Sequence, residues 1–197
     1  MSNESVKDTI ILTLITLIAG LLLGVVYEIT KEPIAAEQKR AKEKAYKEVF
    51  AEADSFELVN LEVEKVEENL VSNGFNVTIN EAMKAFDKYG NTAGYVLTVT
   101  DHEGYGGDIR FAMGVKLDGT VNGISFLSIS ETAGLGMKAT EEDFMKQFAG
   151  KNVEKFRYTK NGASVDGEID AISGATITTN AVVNGVNAGI YYISTLE

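Results

Sequence analysis

Residues 109–129 read IRFAMGVKLDGTVNGISFLSI, from Ile109 to Ile129. Two largely apolar runs, Ile109–Leu117 and Val121–Ile129, flank Asp118-Gly119. Asp-Gly between two such runs is a strong hairpin signal, because glycine takes the left-handed backbone that a tight turn needs. The stretch therefore predicts two antiparallel strands. Working outward, Phe56-Glu57-Leu58, Leu61-Glu62-Val63, Phe75–Ile79 and Tyr95–Val99 alternate apolar and polar residues and predict further strands. Val153–Tyr158 predicts another, closed by Asn161-Gly162. Thr140-Glu141-Glu142-Asp143 has the form of a capping box before a short helix ending near Phe148. In the last segment Val182, Val186, Gly189, Ile190 and Ile193 share one helical face, and Asn180, Asn184 and Asn187 share another. The fold class expected is α+β, a mostly antiparallel sheet with packed helices.

The N-terminus has a different character. Thr9 to Tyr27 carries no charged residue and is bracketed by Asp8 and Glu28. A helix of that length covers about 28 Å, close to the thickness of a bilayer's hydrocarbon core. The threonines can bond back to the backbone, and Gly20 and Gly24 make a small-xxx-small pair suited to close helix contact. Glu4, Lys7 and Asp8 at the start, and Val25-Val26-Tyr27 at the end, suit an uncleaved anchor better than a signal peptide. The expected organisation is a short tail (1–8), a transmembrane anchor (9–27), a helical stalk (28–52) and a soluble domain (53–197). Pro33, the only proline, is expected to start a new helix at the stalk.

Composition narrows the chemistry. The 197 residues include no cysteine and one histidine. That excludes disulfides, thiolate nucleophiles, cysteine-ligated zinc, ordinary iron–sulfur clusters and multi-histidine metal sites. A net charge of −11 disfavours nucleic acid. His102 lies in Thr100-Asp101-His102-Glu103-Gly104, a charged turn, and is expected as a solvated loop residue. No P-loop lysine follows a glycine-rich run, and Gly134-Leu135-Gly136 lacks the third glycine of a dinucleotide fingerprint. Neither a catalytic side chain nor a metal site is expected.

The chemistry-bearing segment is Asp170-Ala171-Ile172-Ser173-Gly174-Ala175-Thr176-Ile177-Thr178-Thr179, directly before the last helix. Small residues allow a tight turn, and a helix N-terminus presents N–H groups and partial positive charge to a phosphate. Ser173, Thr176, Thr178 and Thr179 add hydroxyls, with Thr178 expected to cap the helix.

Asp-x-x-Ser-Gly-Ala-Thr, Asp170 to Thr176, resembles the flavinylation motif of the FMN-binding domains of membrane electron-transport complexes. Gly104-Tyr105-Gly106-Gly107-Asp108-Ile109 resembles that family's glycine–tyrosine–glycine lead into a strand. Glu131-Thr132-Ala133-Gly134-Leu135-Gly136 resembles its Glu-Thr-Pro-Gly-Leu-Gly loop, with Ala133 where proline is usual. The order of anchor, stalk and domain agrees as well. Two groups of relatives compete. This compact chain more closely resembles the G subunits of Rnf ion-translocating complexes than the C subunits of sodium-translocating NADH:quinone reductases.

The resemblance implies FMN held covalently, its phosphate esterified to Thr176 by a separate flavin transferase that recognises the motif, Asp170 included. It implies cofactor contacts from Ser173, Gly174, Ala175, Glu131, Thr132, Gly134, Leu135 and Gly136. Leu135 or Met137 could offer an apolar face to the flavin ring, with core packing as the equal alternative. The implied role is electron transfer between ferredoxin and NAD⁺ in a complex with other membrane subunits, with no complete activity alone. A membrane-tethered regulatory or interaction module is the alternative. The family places the domain on the extracytoplasmic side of the cell membrane. Lys31, Lys39, Arg40, Lys42 and Lys44 after the anchor point the other way by the positive-inside rule.

Overall fold

The computed structural model describes residues 3–196, so Met1, Ser2 and Glu197 lie outside the described residues. Two compact units meet in sequence at Ala41/Lys42. Helix α1 runs Asn3–Val49. Asn3 to Asp8, expected as a tail, is its first part. Thr9, Thr13, Thr16 and Thr30 donate their hydroxyls to carbonyls four residues back, at 2.8–3.0 Å. Each hydroxyl is thus satisfied inside the helix, as a hydrocarbon environment requires. The apolar part is long enough, by length and composition, to cross a membrane. Pro33 starts no new helix; α1 continues through it. Proline's fixed φ is helical, and one missing N–H removes only one hydrogen bond from a long ladder.

From Lys42 onward the chain builds a sheet of five strands: β1 (Ser55–Leu58), β2 (Val77–Phe86), β3 (Thr92–Asp101), β4 (Ile109–Lys116) and β5 (Val121–Ser128). They lie side by side in sequence order, every pair antiparallel. The 109–129 hairpin forms as read. Lys116 N–H donates to the Thr120 carbonyl at 2.8 Å, and the Asp118 carboxylate accepts Thr120 N–H at 2.9 Å. β2 extends well past Ile79, because a register shift between Ile79 and Glu81 breaks the alternation that a period-two reading follows.

Leu61–Val63 is not a strand. Val63 opens helix α2 (Val63–Ser72), and Val63, Val66 and Leu70 turn inward at helical spacing. Thr140 does not cap the next helix either. It closes a 3₁₀ turn, Gly136–Thr140, with its hydroxyl donating to the Met137 carbonyl at 2.9 Å. The short α3 (Glu142–Met145) starts after Glu141 without a side-chain cap. Of the strand expected over Val153–Tyr158, only Arg157 and Tyr158 are extended, in β6 (Arg157–Thr159), which pairs in parallel with β7 (Glu168–Asp170).

Helix α4 (Thr176–Ser194) covers one sheet face, where Val182 and Val186 join Leu97, Val99, Phe111 and Met113 in the main core. It lies close, because Gly185 faces the Phe111 ring and Gly189 faces Met113. The last turns of α1 cover the other face: Ala45, Tyr46, Val49 and Phe50 pack with Ala85, Val96 and Ala112. The buried Tyr46 hydroxyl pairs with Thr98 Oγ1 at 2.7 Å and donates to Glu81 at 3.2 Å. Burial pushes its pKa well above the ordinary tyrosine value.

Candidate functional site

The segment 170–179 folds as a turn running into α4. Ala175 N–H donates to the Ile172 carbonyl at 2.9 Å, and Gly174 has φ +77°. A positive φ at the third residue of such a turn is one that glycine supplies without strain. Thr179 secures the turn from below. Its buried hydroxyl accepts Ile172 N–H at 3.0 Å and donates to the Ala175 carbonyl at 3.0 Å. Thr176 is the first residue of the helix and half-exposed, while Ser173 and Gly174 are exposed and Ala175 is buried.

Thr178 is no cap. The residue before the helix is Ala175, without a side-chain cap, and Thr178 is only 1% exposed. Thr178 and Thr179 therefore point into the fold, and only Ser173 and Thr176 of the four hydroxyl residues are placed to meet a ligand. The Asp170 carboxylate accepts Ala163 N–H, and Asp170 N–H donates to Gln147 Oε1 at 2.6 Å. These bonds order the loop ahead of the turn.

The loop from Glu131 mirrors this construction. Leu135 N–H donates to the Thr132 carbonyl at 3.1 Å, and Gly134 has φ +76°. Ala133 occupies the position where such turns favour proline. Thr132 and Gly134 are exposed, Glu131 is buried, and Leu135 is 43% exposed. Leu135 is thus no core residue, whereas Met137 is half-buried. The two turns touch: a Cβ on Gly174 would lie 3.1 Å from Leu135 Cδ2.

A third segment completes the neighbourhood. Gly106 N–H donates to Glu131 Oε1 at 3.2 Å. On the far side, a Cβ on Gly136 would lie 2.7 Å from both Glu131 Oε2 and Thr178 Oγ1. The glycine loop after β3, the loop after β5 and the first turn of α4 therefore meet around one buried carboxylate. Gly106, Glu131 and Gly136 all belong to motifs visible in the sequence. The inward role of Thr178 has no local signal that could have revealed it.

Beside the turn opens a cavity of about 840 Å³, lined in part by Lys138, Gln147, Lys151, Ser164, Asp170 and Ser173. That volume is in the range of small-molecule clefts. Below the glycine loop, Asp101 is fully buried; its Oδ1 accepts Glu103 N–H at 2.8 Å and its Oδ2 has no partner. Burial raises its pKa to about 7. His102 is exposed and ties the turn through Asp108 and Thr78, each at 2.9 Å. Among the described residues, no cluster of His, Asp and Glu could hold a metal ion.

Residues 104–191 match the FMN-binding domain family, and residues 1–49 match the RnfG N-terminal region. Among the G subunits of ion-translocating oxidoreductase complexes, that of Methanosarcina acetivorans is 33% identical over 198 residues, covering 100% of this chain and 98% of the relative. The chain belongs to the family of these G subunits. Another, from the Na(+)-translocating ferredoxin:NAD(+) oxidoreductase complex of Acetobacterium woodii, is 29% identical over 97% of this chain and 92% of its own. One of the solved C subunits, from the Na(+)-translocating NADH-quinone reductase of Parabacteroides distasonis, shares the fold. It aligns with a TM-score of 0.50 at 22% identity, covering 72% of this chain and 78% of that one. In this member of the RnfG family, the FMN-binding match contains Gly106, Glu131, Gly136, Thr176 and Thr178 together.

Proposed function

We propose that this chain carries FMN as a phosphoester on Thr176 and relays electrons within a membrane complex that couples ferredoxin oxidation to NAD⁺ reduction and ion translocation. The observation that carries the reading is the placement of Thr176. It is half-exposed at the first residue of α4, behind a turn fixed by Gly174 and Thr179. The residue before it, Ala175, brings no side-chain cap to the helix start. The first N–H groups of α4 have no carbonyl within the helix and suit the negative charge that a phosphodiester retains.

The residues fit the group in a second respect. Ser173 and the N–H groups of the turn can hold the phosphate, and Leu135 offers an exposed apolar surface against Gly174. Bound FMN supplies the redox chemistry, taking up and releasing electrons. The protein's part is to fix one end of the cofactor, to offset its charge and to leave the site open toward a partner. A tether also holds the cofactor at a local concentration that dilution cannot lower. A flavin transferase acting at the exposed Ser173 and Gly174, beside the half-exposed Thr176, would install it.

The homologues are subunits of larger complexes, and α1 is suited to hold this one at the membrane. We place the domain on the extracytoplasmic side, as the resemblance to the FMN-binding domains implies, against the cations Lys31, Lys39, Arg40, Lys42 and Lys44 that follow the apolar segment.

The test is attachment. Full-length protein made with a flavin transferase should keep flavin fluorescence through a denaturing gel, and peptide mass spectrometry should put FMN on the fragment containing Thr176. Thr176→Ala should lose the label and stay folded, while Thr176→Ser should keep part of it. A wild-type level of attachment to Thr176→Ala would overturn the assignment.

A further inference from the structure

Thr178 sits two residues beyond Thr176, and at about 100° per residue the two side chains leave α4 on nearly opposite sides. Thr176 faces outward, and Thr178 is buried against Gly136. We propose that Thr178 is a positioning residue for the flavin: together with Glu131 it seats the Gly134–Gly136 loop on α4 and so sets where Leu135 stands relative to a group carried on Thr176. This rests on the attachment reading above.

Three contacts carry the inference. Glu131 is buried and anchored on one side by Gly106 N–H at 3.2 Å. Its other oxygen and Thr178 Oγ1 each stand 2.7 Å from where a Cβ on Gly136 would lie, so that space has no room for a methyl group. The next residue back, Leu135, reaches over Gly174, in the turn that presents Thr176. The loop is thus held at one end by close packing of Gly136 under the helix, and its exposed apolar tip lies against the turn that presents Thr176. Motion of Gly136 away from Thr178 moves Leu135 with it, because one peptide unit separates them.

The choice of threonine follows from this packing. Valine has nearly the same shape but would set a bulkier methyl group where the hydroxyl packs against Gly136, a place with no spare room. Alanine would remove the hydroxyl without adding a clash. Serine would keep the hydroxyl.

The experiment uses the full-length chain in detergent, made with a flavin transferase, as wild type and as Thr178→Val, Thr178→Ala and Thr178→Ser. Mass spectrometry reads FMN stoichiometry, time-resolved fluorescence anisotropy reads the mobility of the flavin ring, and a redox titration reads its potential. Thr178→Val and Thr178→Ala should carry FMN at wild-type stoichiometry. The mobile fraction of the ring should rise about 2- to 10-fold, the effect of disturbing one buried packing contact. The potential should shift with it, and Thr178→Ser should restore both. If Thr178→Val does not fold, Thr178→Ala supplies the same readings without the clash. Wild-type mobility and potential in the folded, flavinylated variants would overturn the proposal. So would loss of attachment in a folded variant, which would give Thr178 a part in modification instead. Absence of FMN from wild-type Thr176 is a different outcome, and it removes the attachment reading itself.

Discussion

Asn187 holds Phe156 by both of its backbone polar groups. The Asn187 amide oxygen accepts Phe156 N–H at 2.7 Å, and its amide nitrogen donates to the Phe156 carbonyl at 2.9 Å. Both residues are buried, Asn187 on α4 and Phe156 just before β6. An asparagine in the middle of the helix thus stands in for a neighbouring strand at Phe156. Asn187→Leu should leave two buried backbone groups unpaired and cost about 2–4 kcal/mol. Thermal unfolding of the full chain in detergent checks this, and a melting point within error of wild type would refute it.

Gly174 faces two demands at once, a φ of +77° and Leu135 at 3.1 Å from where a Cβ would stand. Gly174→Ala should therefore strain the turn by about 1–2 kcal/mol. Because the strain falls where a transferase must bind, attachment should slow more than the fold weakens. Timed mass spectrometry of FMN incorporation, set beside the melting point, separates the two effects.

Asp101 makes stability depend on pH. Its pKa is raised to about 7 in the folded protein, against about 3.9 in an unfolded chain. Between those values the folded state holds the extra proton, so stability falls as pH rises from about 4 to 7 and levels off above. Glu103 and Asp108 nearby oppose the charged form, and His102 favours it. Asp101→Asn can keep accepting Glu103 N–H and carries no charge. It should match wild type near about pH 4 and exceed it by about 2–4 kcal/mol at about pH 8. Unfolding curves at both pH values decide, and a gap that does not open with pH would count against a buried neutral carboxyl.

The side of the membrane is open to a direct measurement, because the chain has no cysteine of its own. Tyr89 lies in the turn between β2 and β3 and is 77% exposed. Tyr89→Cys in intact cells should react with a membrane-impermeant thiol reagent. Labelling only after lysis would put the domain in the cytoplasm and vindicate the lysines that follow the apolar segment.

Much of this was legible from residue order alone. Thr9–Tyr27 declared a membrane-length helix, Asp118-Gly119 a hairpin, and Asp170–Thr176 a tight turn into the last helix, because each depends on neighbours a few positions away. The failures have one cause in common. Leu61–Val63 alternates over three residues yet joins a helix whose inward positions are Val63, Val66 and Leu70. Thr140 has the local form of a cap but finds its partner in Met137 behind it. Thr178 and Thr179 read as two more exposed hydroxyls; contacts with Gly136 and Ile172 bury them instead. Which threonine faces outward, which carboxylate is buried beside Gly136 and which has its pKa raised at the end of β3 were decided only by tertiary structure. A polar group's fate depends on what distant segments bring against it, and no local pattern encodes that.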